Sequence, residues 1–328
     1  MLEFDKAPTY QSILEAAQTL EGIVRKTPLL ESHALNTEIG ARLFLKCETM
    51  QHTGSFKFRG AYNTLRRLSS AQQKGGVFAY SSGNHAQGIA LSAQMLGIQA
   101  TILMPEDTPQ IKMDNTRGYG AEVITYDRYS ESREEIGSKI ADENGLTLVK
   151  PYDNHFVISG QGTTGIEIAE QLAEQDVTAD ICVCPAGGGG LIAGTSLALK
   201  ELSPSTKVYS AEPEYFDDTK VSLECGTRVA NTGGKKSICD AIVTPMPGEI
   251  TFPVNKETLS GGLMVTDDEV RSAIREAFHH FKCVIEPGGA VAFAALLTGK
   301  IDISGKTVVA VASGGNIDPD LYREILAG

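Results

Sequence analysis

The stretch Ile181-Cys182-Val183-Cys184-Pro185-Ala186-Gly187-Gly188-Gly189-Gly190-Leu191 decides how the chain is read. Its first four residues form an apolar strand, its glycines a turn, and Leu191 opens a helix that runs to Leu202. Short apolar strands alternating with helices are the repeating unit of a parallel sheet covered on both faces. Gly187, Gly188, Gly189 and Gly190 cost so much backbone entropy that close approach of a ligand to the main chain explains them better than a tight turn. Their N–H groups stand at the positive end of a helix dipole, which makes a cradle for phosphate. The run lacks the Lys-Ser/Thr of a P-loop and the G-x-G-x-x-G spacing of a dinucleotide site, which weakens both of those readings.

The same unit recurs on either side. Upstream, the pattern predicts strands over 43–45, 77–80, 101–104, 123–126 and 146–149. Helices are expected over 57–68, 84–96 and 131–143, with another ending near Tyr119. Downstream come a helix over 162–175, a strand over 208–210 and a less regular stretch over 217–254. Thr266 and Glu269 make a capping box that opens a helix over 270–281, and a last strand covers 308–312. A length of 328 residues exceeds the ~250 to 300 that one core supports, so two lobes with a cleft between them are expected. The first ~50 residues carry little chemistry, which assigns 1–50 and 153–328 to a large domain and 51–152 to a small one.

A net charge of −12 without a basic cluster argues against nucleic acid. No apolar run approaches ~18 residues and the N-terminus has no basic region, so neither a membrane span nor a leader is expected and the protein reads as cytoplasmic. The six cysteines lack C-x-x-C spacing and read as reduced thiols.

Three further turns carry polar chemistry. Thr53-Gly54-Ser55-Phe56-Lys57-Phe58-Arg59-Gly60-Ala61 sets Lys57 between two aromatic residues. Apolar walls lower a lysine pKa and leave a nucleophilic amine, so Lys57 is a candidate Schiff-base lysine; the plainer reading is a lysine at a helix start with Phe56 and Phe58 in the core. Ser81-Ser82-Gly83-Asn84-His85-Ala86-Gln87-Gly88 crowds polar groups at the start of an apolar helix, with His85 read as a hydrogen-bonded cap residue. Ser313-Gly314-Gly315-Asn316 offers a hydroxyl at the end of a buried strand. An amine, a phosphate nest, a lone hydroxyl and a polar helix start together suit a phosphorylated aldehyde.

With these motifs in this order, and with Thr27-Pro28-Leu29 and Lys46-Cys47-Glu48 before them, the chain resembles the fold type II pyridoxal-phosphate enzymes. The branch it resembles holds serine/threonine dehydratases and serine racemases. That resemblance implies a tryptophan synthase β-like α/β fold whose two lobes each carry a mainly parallel sheet. It also implies a cofactor, pyridoxal 5'-phosphate, in the cleft. By similarity Lys57 links to the aldehyde, Phe56 packs beside the ring, Asn84 bonds its O3', Gly187 to Gly190 hold the phosphate and Ser313 faces the pyridine nitrogen. A hydroxyl does not keep that nitrogen protonated, which favours prompt loss of a β-substituent. The implied activity is elimination from a β-hydroxy amino acid, L-threonine or L-serine, to 2-oxobutanoate or pyruvate plus ammonia. Racemisation of serine or an aspartate-like substrate, and elimination from 3-hydroxyaspartate, stay open as alternatives.

The substrate carboxylate is expected over Ser81, Ser82, Asn84 and His85, where the helix terminus favours an anion. Ser82 matches the serine on the opposite cofactor face in racemases. Glu212, Phe216 and Asp218 match a loop that binds Mg²⁺, Mn²⁺ or Ca²⁺ in racemase-like relatives; the alternative is a solvated acidic loop. Arg133 reads either as a partner for a second substrate carboxylate or as a surface ion-pair residue, and the apolar loop 240–248 suits threonine's methyl group. Tyr119 resembles a tyrosine that stacks on a nucleotide effector in ATP-stimulated relatives. The family resemblance also implies a homodimer. The chain stops at Gly328, which leaves no room for the C-terminal regulatory domain of biosynthetic threonine dehydratases.

Overall fold

The computed structural model describes residues 3–81, 83–108, 110–127 and 130–328. Its strands are β1 (Leu29–Glu31), β2 (Arg42–Cys47), β3 (Val77–Tyr80), β4 (Ala100–Pro105), β5 (Glu122–Tyr126), β6 (Thr147–Leu148), β7 (Ile181–Pro185), β8 (Lys207–Pro213), β9 (Gly261–Val265) and β10 (Thr307–Ala312). They form a six-stranded sheet in the order β1-β2-β10-β7-β8-β9 and a four-stranded sheet in the order β5-β4-β3-β6. Every pairing is parallel except β1 with β2. The fold is α/β, with helices covering parallel sheets as the strand pattern predicts.

Strand order locates the crevice. From β7 the chain moves outward to β8 and β9, while β10 lies on the other flank; β3 stands likewise between β4 and β6. Ligands gather outside the carboxyl end of a strand where the order reverses. Here those ends are Pro185, which leads into the glycine run, and Tyr80, which leads into Ser81.

Three departures from the sequence pattern have physical causes. The helix expected over 162–175 begins earlier and spans His155–Ala173, with the Asn154 side chain accepting from the N–H of Phe156 at 2.9 Å and of Val157 at 3.1 Å. Its glycines mark helix contacts rather than breaks: a Cβ on Gly160 would stand 2.7 Å from the Arg59 carbonyl, and one on Gly165 2.6 Å from that of Thr195. Pro287–Leu297 is a helix buried throughout down to Leu296, so it shows no polar stripe from which a period can be read. Strand β9 begins with two glycines at a sheet edge and carries a weak strand signal. By contrast the capping box forms as expected, with Glu269 N–H to Thr266 Oγ1 at 3.3 Å and Thr266 N–H to Glu269 Oε2 at 2.7 Å.

Under the Lys57–Arg66 helix lies a buried ion cluster. Arg59, wholly removed from solvent, donates Nε to Glu48 at 2.8 Å and Nη1 to Glu167 at 2.6 Å. Lys46 donates to the same Glu167 at 2.6 Å, to Gln171 at 2.8 Å and to the Thr27 carbonyl at 2.8 Å. Two cations and two carboxylates thereby neutralise one another across three segments distant in sequence. Among the described residues no helix is long and apolar enough to cross a membrane.

Candidate active site

The four turns singled out above open into one cleft of about 600 Å³ between the two sheets. Ser82 lies outside the described residues, as does the Arg133 side chain.

Lys57 starts the Lys57–Arg66 helix, and its Nζ donates to the Pro151 carbonyl at 2.7 Å. Burial disfavours the ammonium and pulls its pKa down to about 8, although the Glu286 carboxylate opposes the shift. Only one of the two flanking rings faces the amine. Phe56 sits with its centroid 5.1 Å from Nζ, whereas Phe58 points away into a core with Leu20 and Tyr62. Successive helix residues diverge by ~100°, which is why two aromatics flanking one lysine in sequence do not flank it in space.

Opposite, the glycine run caps the Gly190–Leu202 helix, with Gly189 left-handed at φ 87°. Its shape leaves no room for side chains: an added Cβ would lie 2.2 Å from the Tyr152 ring at Gly188, 2.6 Å from Asn255 at Gly189 and 2.8 Å from Gln161 at Gly190. The N–H groups of Gly187, Gly188 and Gly189 have no acceptor among the described residues. Orphaned donors at a helix N-terminus, on a bend only glycine can make, fit a phosphate.

The polar helix start is held from behind. Asn316 Nδ2 donates to Asn84 Oδ1 at 2.7 Å, and Asn84 Nδ2 donates to Glu286 Oε1 at 2.5 Å. These bonds fix which end of the Asn84 amide carries hydrogens into the cleft. Glu286 is a member of the site that no motif announces. Burial pushes its carboxyl up to about 7, against the lowering effect of the Asn84 bond. The signal available was Glu286-Pro287-Gly288-Gly289, an acid ahead of proline at a helix start. His85 donates or accepts through Nε2 with the Val149 carbonyl at 2.9 Å, and burial together with the Lys57 charge depresses its pKa to about 3. It is neutral at physiological pH, in keeping with a fixed cap residue. Ser81 accepts the Gly83 N–H at 3.3 Å, and Ser313 lines the cleft with its own carbonyl tied to the Phe56 N–H at 3.1 Å. The Ser313 hydroxyl has no partner among the described residues, so it is free to meet a ligand.

Away from the cleft, Glu212 ends up wholly buried on β8 and accepts the N–H groups of Thr219 and Lys220, each at 2.8 Å. Asp218 is buried beside it and takes one bond, from Asn231 at 2.9 Å, leaving Oδ2 without a partner. Burial, with Asp218 nearby, pushes Glu212 well up; burial likewise raises Asp218 to about 7. Glu212 and Asp218 are thus buried while Glu214, Tyr215, Phe216 and Asp217 between them keep contact with solvent, and the carboxylate donors are hard oxygen. Tyr119 packs against the core of the four-stranded sheet.

A family model described as "Pyridoxal-phosphate dependent enzyme" matches residues 20–314. The chain belongs to this family. It is 41% identical to an L-threo-3-hydroxyaspartate ammonia-lyase of Saccharomyces cerevisiae, over 98% of this chain and 97% of the relative. It is also 41% identical to an L-threonine ammonia-lyase of Thermotoga maritima, over 97% of this chain and 78% of the relative. Among solved structures, maize serine racemase superposes with a TM-score of 0.91 at 33% identity, over 98% of each chain. In this family of pyridoxal-phosphate enzymes, the desolvated amine of Lys57 and the orphaned N–H groups of the glycine bend have the chemistry that suits an aldehyde carrying a phosphate.

Proposed function

We propose that this pyridoxal-phosphate enzyme is an ammonia-lyase acting on L-threonine and L-serine. The observation that carries the proposal is Lys57: an amine with its pKa lowered to about 8, in one cleft with three orphaned glycine N–H groups. Bound pyridoxal phosphate supplies the electron sink that accepts the pair left at the substrate's α-carbon. Gly187 to Gly190 would hold its phosphate, Phe56 would lie beside its ring, Asn84, oriented by Asn316 and Glu286, would bond its O3', and Ser313 would meet its ring nitrogen. The helix terminus from Ser81 to His85 binds the substrate carboxylate through its dipole and the N–H groups of Asn84 and His85, which have no acceptor among the described residues. Neutral Lys57 Nζ takes the α-proton, which calls for an amine not already charged near neutral pH. The apolar residues Ala241 and Ile242 receive the methyl group of threonine. The β-hydroxyl leaves as water, and hydrolysis of the enamine gives the keto acid and ammonia.

Racemisation of serine is the second reading, supported by the likeness to the maize enzyme; Ser82 would return the proton from the other face. Release of keto acid measured beside change of optical rotation distinguishes the two. Replacing Lys57 by Ala should lower turnover by at least about a thousandfold and remove the borohydride-trapped cofactor adduct. Normal turnover in that variant would end the assignment.

The finer assignments rest on the same reading. Glu212, Asp218 and the Phe216 carbonyl hold a divalent cation, Mg²⁺ or else Mn²⁺ or Ca²⁺. The protein is a cytoplasmic homodimer, in line with the exposed apolar side chains of Met50, Phe278 and Val284. Residues 1–50 with 153–328, and 51–152, form the two lobes that flank the cleft. Tyr119 is the residue through which a nucleotide effector would act.

A further inference from the structure

One ion pair spans the mouth of the cleft. Lys112, in the Gln110–Gly118 helix that follows β4, donates Nζ to Asp240 Oδ2 at 2.9 Å. Asp240 stands on the opposite wall, at the head of the apolar loop. The two ends are unequally exposed. The Lys112 side chain retains 15% of its exposure and the Asp240 side chain 61%. An exposed carboxylate gains little from its partner and exchanges readily with another anion, whereas a cation on the inner side stays in place. The other cations lining the cleft among the described residues are differently placed. Lys57 is tied to the Pro151 carbonyl, and Arg228 is engaged by the Pro247 carbonyl at 2.9 Å and by Glu249 at 3.2 Å. Lys150 also lines the cleft, but it is Lys112, with Lys57, whose field reaches the buried Glu286 beside Asn84.

We propose that Lys112 determines specificity, as the cation that receives a second carboxylate carried on the substrate's β-carbon, with Asp240 as the anion that such a substrate displaces. This rests on the ammonia-lyase reading and adds a substrate class to it. With threonine bound, the Lys112–Asp240 pair stays closed and the methyl group meets Ala241 and Ile242. With a 3-hydroxy dicarboxylic amino acid, Asp240 turns outward to water and its place on Lys112 passes to the substrate. The reaction is otherwise unchanged: one water leaves, one water hydrolyses the enamine, and the products are one dicarboxylic keto acid and one ammonia. A single cleft thereby serves an apolar and an anionic β-substituent without repacking its walls.

The test compares kcat/KM for L-threo-3-hydroxyaspartate and for L-threonine in the same preparations of cofactor-loaded enzyme. Lys112→Gln should lower the hydroxyaspartate-to-threonine ratio by roughly 30-fold, the scale for removing one member of a desolvated charge pair. Asp240→Asn should raise the ratio. The double variant keeps the low ratio, because the cation itself is missing. An unchanged ratio in Lys112→Gln, or a double variant restored to the wild-type ratio, would overturn the proposal, since Lys112 would then only neutralise Asp240 or brace the cleft. Loss of elimination from every substrate in the unmodified enzyme would instead sink the ammonia-lyase reading. Retained visible absorbance of the bound cofactor in each variant shows that the site is still assembled.

Discussion

Two groups of buried charge, one beneath Lys57 and one beside β8, meet the same electrostatics and resolve it differently. Beneath Lys57, Arg59 and Lys46 balance Glu48 and Glu167; burial alone would lower the Arg59 pKa, yet the two carboxylates raise it above its ordinary value. Beside β8, Glu212 and Asp218 accept from backbone N–H groups and the Asn231 amide without an ion-pair partner among the described residues, and Lys220, whose charge Glu212 feels from a distance, pairs with Glu224 at 2.8 Å instead. A buried charge is tolerated when it is paired and strongly disfavoured when it is not. The first group is therefore complete as scaffold. The second has no ion-pair partner among the described residues. Lys57 belongs with the second kind, since its nearest bond is to a neutral carbonyl.

The sharpest way to break this contrast is to unbalance the complete group. Arg59→Ala leaves two buried carboxylates without their shared partner and should destabilise the protein by about 3–5 kcal/mol in urea unfolding. A loss under about 1 kcal/mol would mean that the cluster is hydrated and not self-sufficient. The incomplete group should respond in the opposite sense, by gaining stability. Mg²⁺ at a hundred times its dissociation constant should add about 2.7 kcal/mol, reversed by chelator and absent in Asp218→Asn. An equal response in that variant would place the ion elsewhere. The smallest effect is on rate. Below about pH 8 the neutral fraction of Lys57 grows about tenfold per pH unit, so the rate at which cofactor-free protein captures pyridoxal phosphate should climb and then level off near pH 8. A climb that continues to about pH 10, as for an ordinary lysine, would show that the amine is not desolvated.

Much of this was legible before any coordinates. Strands β3, β7 and β10 declare themselves as short apolar runs, and the glycine run announces both its helix and its affinity for an anion. Local pattern fails where long-range packing decides. The early turns of the His155–Ala173 helix are hidden by glycines whose purpose is to admit Arg59 and Thr195 from other helices. Asn84 is legible as a site residue, but the residues that orient it come from positions 286 and 316, and no spacing rule connects them. Phe58 was misleading for the opposite reason: adjacency in sequence suggested a wall around Lys57, and helical rotation removed it.

The pairing of β2 with β10 has a consequence for synthesis. Residues 42–47 leave the ribosome long before residues 307–312, and β1 can cover one flank of that strand at once. Its other flank must wait for residues 307–312, which follow only after every other strand of both sheets has been made. Until then Leu43, Phe44 and Leu45 form an apolar strand with one open edge, the kind of surface that sticks to other nascent chains. The yield of native protein should accordingly depend on how well chaperones shield that edge in the interval between the two strands.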